Sequence, residues 1–384
     1  MLFGYFCMFR FELEAVCPHT YARAGKIYTD HGVIETPIFM PVGTVASVKG
    51  VTQEQLQQNI GAQIILSNTY HLFLRPGTEV IKQAGGLHQF IGWNKPILTD
   101  SGGYQIFSLP SRRKISQEGV QFASHIDGSK HWFTPESVID TQQIFGSDIQ
   151  MVLDECTPYP CEFSYAQKSL ALTHRWAKKA IRYSEEKSSL LPHSQAVFPI
   201  VQGSTFPELR KESALFISEL NALGNAIGGL SVGEPAEVMY DITEQVCQIL
   251  PKQKPRYLMG VGTPRNIIES IARGVDMMDC VLPTRNARHG ILYSYEGIMH
   301  IKNQKFKYDF SPICANSTCE MDQNYSRAYL RHLFVAEELL ALTIASIHNL
   351  HFFLQLAMDA RKQILNGTFA SWKQNIIDQI GNRI

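Results

Sequence analysis

The residues best suited to chemistry lie in one run, Asp276-Met-Met-Asp279-Cys-Val-Leu-Pro-Thr-Arg285-Asn-Ala-Arg288-His-Gly290. Two carboxylates close an apolar, strand-like stretch from Gly274 to Val281, a proline stops it, and two arginines follow. An acid at the mouth of a strand, beside arginines able to hold phosphate, suits covalent or acid–base chemistry on a nucleotide or nucleic acid. A strand-end Asp also caps turns, and arginines are ordinarily solvated, so this run alone leaves both readings open.

Such groups need a frame to position them. Short apolar runs recur at Ile38–Val42, Gln63–Ser67, Pro96–Thr99, Ile149–Leu153, Val197–Val201, Ala226–Leu230, Tyr257–Met259 and Val275–Met278. Continuous apolar runs of this length suit strands buried on both faces of a parallel sheet. Helical patterns separate them, at Thr52–Asn59, Pro135–Phe145, Tyr165–Glu186, Pro207–Leu223, Ala236–Ile249 and Pro264–Arg273. Eight alternations predict an α/β fold, a (β/α)8 TIM barrel. Two stretches break the rhythm. Residues 119–133 alternate around Asp127-Gly128, which reads as a hairpin inserted after the third strand. Residues 290–323 read as a small subdomain inserted in the last β/α unit, with short strands at Ile291–Tyr295 and Ile298–Ile301. Leading strands, with turns at Gly25 and His31-Gly32, are expected to cap the barrel's bottom. With no linker or low-complexity tract, residues 1–384 read as a single domain carrying these insertions.

Composition agrees with a large core: 384 residues, 45% hydrophobic and 18% charged. The formal net charge is zero, so a nucleic-acid partner would need a local basic patch. Eight scattered cysteines do not make a small disulfide scaffold, and a reduced, cytoplasmic setting is the simpler expectation. The apolar start, Leu2 to Phe9, lacks a basic leader and a cleavage site, so neither a signal peptide nor a membrane span is read there. Met8 is an alternative start.

In a barrel the working residues sit at the C-terminal ends of the strands. Those ends carry Asp100-Ser101-Gly102-Gly103-Tyr104, Asp154-Glu-Cys156, Gln202-Gly203, Gly228-Gly229-Leu-Ser231-Val232, Met259-Gly260 and Asp279. Each alone could cap a helix or form a turn. One polar group at each of several adjacent strand ends is hard to explain by capping, and the set reads as one site. Asp and Gln suit the hydrogen-bonding edge of a heterocycle, and Tyr104 and Met259 its two faces. One carboxylate as nucleophile at a sugar carbon and another as proton donor and acceptor amounts to glycosyl transfer. Cys280, beside Asp279, is turned by strand alternation to the opposite face and reads as a core thiol. By the same alternation Asp276 reads as structural.

The chain resembles the bacterial tRNA-guanine transglycosylases. The matching strings are Thr36-Pro-Ile-Phe-Met-Pro-Val-Gly-Thr44, Leu66-Ser-Asn-Thr-Tyr-His71, Leu98-Thr-Asp-Ser-Gly-Gly-Tyr-Gln105, Asp154-Glu-Cys-Thr-Pro-Tyr-Pro160, Gly228-Gly-Leu-Ser-Val-Gly-Glu234, the opening run, and Asn324-Tyr-Ser-Arg-Ala-Tyr-Leu330, in order from about residue 10 to the end. The resemblance implies exchange of guanine at the wobble position of GUN-anticodon tRNAs for a 7-deazaguanine, in queuosine biosynthesis. It implies Asp279 as the nucleophile and Asp100 as the proton acceptor and donor. Asp100, Ser101, Gly102, Gly103, Tyr104, Asp154, Gln202, Gly229 and Met259 would surround the base. Gly260, Val261, Gly262, Thr263, Pro264, Arg265 and Asn266, with Thr284, Arg285, Asn286, Ala287 and Arg288, would hold the anticodon loop. The base must leave its stack to reach such a pocket. The alternative is a non-catalytic, tRNA-binding subunit of a heterodimeric transglycosylase.

The resemblance implies no organic cofactor, and a homodimer that touches no membrane. Val232 and Cys156 match the preQ1-using pattern while Ser231 also occurs in queuine-using relatives, so preQ1 is favoured over queuine. The family's zinc motif falls on Ser317, Cys319, Asp322 and His348, where only Cys319 and His348 remain good ligands. Cys314 could slide in, and Asp322 could give an oxygen. Less than one zinc per chain is expected.

Overall fold

A computed structural model describes residues 9–108, 113–187 and 193–384; the apolar start, with Met8, lies outside them. Two five-stranded parallel sheets form the centre of this α/β protein. One is ordered Ala196–Phe198, Ile149–Met151, Ile97–Asp100, Ile65–Asn68, Val42–Gly43. The other is ordered Ile200–Val201, Asn225–Ile227, Arg256–Leu258, Met277–Asp279, Ile38–Met40. Every residue of Ile65–Asn68, Ile149–Met151 and Arg256–Leu258 is buried. That is why these runs read as continuously apolar rather than alternating.

The strands overlap the apolar runs without sharing their bounds. Leu153, Leu230 and Met259 fall beyond the strand ends, in the loops that follow. Helices connect the strands, among them Pro135–Phe145, Phe163–Glu186, Pro207–Glu219, Ala236–Ile249 and Pro264–Ala272. Three of these start on a proline, which fits the first helical turn because its missing N–H would be unpaired there anyway.

The hairpin read at residues 119–133 is present. Val120–Ala123 pairs antiparallel with Lys130–Phe133, and Arg113–Ile115 adds a third strand. At the N-terminus, Arg10–Val16, Arg23–Thr29 and Gly32–Thr36 form an antiparallel sheet. Gly25 is not a turn: it lies inside the middle strand, opposite Leu13 and Thr36. A Cβ there would stand 2.6 Å from the Glu12 carbonyl oxygen and 2.7 Å from the Phe11 ring, so close approach explains the glycine. His31-Gly32 is the turn expected.

After Asp279 come a short helix, Leu282–Ala287, a hairpin of Ile291–Ser294 with Gly297–His300, and Glu320–Asn324. A separate small core gathers Leu292, Met299, Ile301, Phe306, Ile313 and Leu330. Helix Leu339–Leu365 runs beside both. By length and composition it could cross a membrane, yet 67% of its most apolar window is buried in the protein and its Phe353 packs on Phe39 and Tyr293. It occupies the place of a core helix.

Candidate active site

The loops after the parallel strands enclose a cavity of about 420 Å³. Asp100, Asp154, Gln202, Gly229, Met259 and Asp279 all line it, as do Ser101, Gly102, Gly103 and Tyr104. The site residues read from the strand ends are therefore brought together.

Asp100 ends its strand, opposite Asn68 on the neighbouring one. Its carboxylate accepts from Asn68 Nδ2 at 2.5 Å, from the Thr69 N–H at 3.0 Å and from the Gly102 N–H at 3.2 Å. All three donors are neutral. Burial raises its pKa to about 7 against those donors, and the charge of Asp279 adds to the rise. The turn after it must be glycine. Gly102 has φ +77°, and a Cβ there would come within 2.9 Å of the Tyr70 backbone; one on Gly103 would meet the Asp154 carbonyl oxygen at 2.8 Å.

Asp279 is held by one oxygen. Oδ1 accepts from the Tyr257 hydroxyl at 2.6 Å and from the Gly260 N–H at 2.8 Å. Oδ2 takes no hydrogen bond from another of the described residues. Burial raises this carboxyl too, against the Gly260 and Tyr257 hydrogen bonds. Asp154 accepts from Gln202 Nε2 at 2.7 Å, and burial lifts it to about 6. That pairing fixes the amide's orientation, because only its NH2 side can donate to a carboxylate. Its Oε1 is buried without a partner, and its second N–H is left to spend on a ligand.

Beneath the Gly228-Gly229 turn lies Arg210, fully buried. It donates to the carbonyls of Ser204 at 2.6 Å, Val201 at 3.1 Å, Gly228 at 2.7 Å and Gly229 at 2.9 Å. Burial lowers its pKa to about 10. Neither Arg210 nor Tyr257 stands out in the sequence. A phenol inside the apolar strand Arg256–Leu258 needs a hydrogen-bond partner, and that is the available signal for Tyr257.

Cys280 lines the cavity and is not turned away from it. The strand stops at Asp279, so two-residue alternation does not carry through to 280. Its thiol is pushed up to about 12 by burial, which leaves it a poor nucleophile. Cys156 also lines the cavity, and it and Cys161 are free thiols rather than a pair.

The two candidate RNA segments divide by exposure. Gly260, Thr263, Arg265, Arg285 and Arg288 are exposed, Asn266 and Asn286 are half-buried, and Val261, Gly262, Pro264, Thr284 and Ala287 are buried. Thr263 caps helix Pro264–Ala272 through the Asn266 N–H at 3.3 Å. Arg285 reaches the cavity wall, and its guanidinium makes no hydrogen bond or ion pair among the described residues. Arg288 donates to the Thr284 carbonyl at 3.0 Å, and Asn286 to the Tyr293 hydroxyl.

The expected metal residues, Cys319 and His348, lie buried beyond this cavity. Among the described residues one other group has metal-ligand chemistry: His31, His88 and Asp148, with ligand atoms within 4.8 Å of one another. The two imidazoles stack with centroids 3.7 Å apart and planes at 13°. Their lone pairs lie in the ring planes, so one ion cannot meet both without unstacking them.

Parallel strands ending in two acids aligned on one pocket, with a third acid and an amide to grip a polar ring, define a two-carboxylate enzyme site of glycosyl-transfer type. The queuine tRNA-ribosyltransferase family model matches residues 17–382, and the chain belongs to that family. It is 51% identical to the queuine tRNA-ribosyltransferase of Aquifex aeolicus over 98% of this chain and 100% of the relative. It is 52% identical to that of Solibacter usitatus, over 94% of this chain and 96% of the relative.

Proposed function

We propose that this chain is a tRNA-guanine transglycosylase that replaces guanine at the wobble position of GUN-anticodon tRNAs with a 7-deazaguanine, either preQ1 or queuine. The observation that carries the reading is Asp279: a buried carboxylate pinned through one oxygen, lining a cavity that a second acid, Asp100, also lines. The free oxygen bonds to C1′ of the ribose as the bond from C1′ to the base nitrogen breaks. Asp100 gives its proton to the departing guanine. The incoming base then bonds to C1′, its ring nitrogen returns a proton to Asp100, and Asp279 is released. A carboxyl lifted to about 7 suits that exchange, because proton transfer in both directions is easiest near the working pH.

Asp154, the second Gln202 N–H and the Gly229 backbone read the base edge, and Tyr104 and Met259 cover its faces. Arg285 and Arg288, with the Gly260–Asn266 segment, hold the anticodon loop. A neutral chain needs such a local patch to bind RNA. A non-catalytic partner subunit would not require both acids. In this reading the two sheets are one closed (β/α)8 barrel. Residues 38–43 and 196–201 serve both sheets, each broken by a proline whose carbonyl still bonds the next strand: Leu66 N–H to Pro41 and Ala226 N–H to Pro199, both at 2.9 Å. Residues 290–323 form an inserted subdomain of one domain. The working form is a cytoplasmic homodimer. Exposed Tyr308, Phe310, Val335 and Leu339 supply apolar surface for its contact.

Radiolabelled guanine exchange into tRNA bearing a GUN anticodon tests the activity, and no exchange would overturn it. Competition of preQ1 and queuine against guanine then identifies the incoming base.

A further inference from the structure

The family resemblance puts a structural zinc where residues 317, 319, 322 and 348 meet. The residues present do not fit one. A structural zinc needs four lone pairs aimed at one point. His348 Nε2 faces the Tyr293 carbonyl oxygen at 2.9 Å, and Nδ1 faces Asp322 Oδ1 at 2.6 Å. A carbonyl only accepts, so Nε2 carries a proton there, and Nδ1, the nitrogen a metal would use, is engaged by the Asp322 carboxyl. Ser317 Oγ accepts the Cys319 N–H at 3.1 Å, and a serine hydroxyl is a poor zinc ligand. Among the described residues, three ligand atoms converge within 4.8 Å at His31, His88 and Asp148, and not here.

We propose that a buried Asp322–His348 hydrogen-bonded pair takes the place of the zinc and fastens the residue 290–323 insertion to the core, so that this protein folds and works without the metal. One imidazole ties three elements together. Asp322 lies on Glu320–Asn324, Tyr293 on the hairpin strand Ile291–Ser294, and His348 in the middle of Leu339–Leu365. Asp322 is 1% exposed and His348 3%. In such a setting each partner depends on the other, since removing one leaves a buried polar group without its hydrogen bond. The Asn349 side chain repeats the fastening one residue on. It accepts the Tyr293 N–H at 3.1 Å and donates to the carbonyls of Pro283 and Ile291, both at 2.9 Å. The insertion is thus held by hydrogen bonds where four thiolate and imidazole ligands would otherwise hold it. The assignment rests on the family's metal position and not on the exchange activity, and its test reads metal and melting rather than turnover.

The purified full chain is analysed for zinc and melted with and without 1,10-phenanthroline. The expected result is far less than one zinc per chain and a Tm that the chelator does not move. One zinc per chain, or a Tm that falls with chelator, overturns the proposal. Asp322→Ala removes the partner of His348; it should lower Tm by several degrees with zinc content unchanged, and an unaltered Tm overturns the proposal. The double substitution Ser317→Cys, Asp322→Cys should bring the chain to about one zinc and make its Tm chelator-sensitive. A double variant that stays zinc-free overturns the idea that the Asp322–His348 pair occupies the metal's position.

Discussion

Asp276 and Asp279 flank one three-residue strand, Asp148 and Asp154 flank another, and the members of each pair keep different company. At the N-terminal ends the carboxylates meet basic side chains. Asp276 is bound by the Arg23 guanidinium, through Nε at 2.9 Å and through a second nitrogen, and also accepts the Arg256 N–H at 2.7 Å. Asp148 lies 2.7 Å from His31 Nδ1 and 3.4 Å from His88 Nε2. Burial opposes its charge, but the two histidines hold its carboxyl down at about 2. At the C-terminal ends the partners are a phenol, amides and backbone N–H groups, and burial raises all three carboxyls. The same residue type is thus an anchor at one end and a reactive group at the other. The difference lies in whether a basic side chain is supplied. An anchor gains from being neutralised, whereas a nucleophile or proton carrier neutralised by an arginine would lose its reactivity.

The largest effect should come from the mouth. Asp279→Ala should abolish the covalent tRNA adduct and lower exchange by a factor on the order of 10⁴ or more. Denaturing gels of enzyme trapped with tRNA read this directly, and an adduct on the variant would reassign the nucleophile. Asp276→Ala should do the reverse. Stripping a buried arginine of its partner costs roughly 3–5 kcal/mol of stability, read as a lower urea midpoint, while exchange per folded molecule stays near wild type. A variant that folds as well as wild type but exchanges poorly would erase the distinction between the two ends.

That distinction is partly legible in the amino-acid sequence. Asp279 and Asp100 stand out because each follows an apolar run and precedes glycines or a proline, and Asp276 falls off the alternation of its strand. The strand ends are less legible. Apolar residues such as Met259 belong to the cavity wall, and composition cannot tell wall from strand. The same ambiguity misplaces Cys280, because the strand and its alternation end one residue before it. Gly25 reads as a turn because a glycine forced by a neighbouring Phe11 ring looks, in sequence, like one chosen for its φ. Arg210 is hidden by its helix. Its four carbonyl acceptors lie on two segments, Val201 and Ser204 on one and Gly228 and Gly229 on the other, and no local pattern records them.

Tyr257→Phe should have a smaller effect. It removes one of two donors to Asp279 Oδ1 and leaves the Gly260 N–H in place, so exchange should fall about tenfold with little change in tRNA affinity, in line with roughly 1–3 kcal/mol for a lost hydrogen bond to a buried charge. A large loss of affinity with kcat intact would make Tyr257 a binding residue instead.

The finest test is the pH dependence of stability, where the two ends should show opposite signs. Folding raises Asp100 from 3.8 to about 7, so its protonated form favours the folded state; that advantage is full below 3.8 and drains away as pH rises through 7. Folding lowers Asp148 from 3.8 to about 2, so its contribution is present above 3.8 and is lost as pH falls towards 2. An asparagine at either position does not titrate. Asp100→Asn should therefore gain urea resistance relative to wild type as pH rises from roughly 5 to 8. The deficit of Asp148→Asn should be largest at about pH 5, narrow as pH rises and His31, whose pKa Asp148 raises against burial, loses its proton, and close in acid as Asp148 itself is protonated. If the two difference curves run parallel between roughly pH 2 and 5, the partner is not what separates the mouth from the base of the sheets.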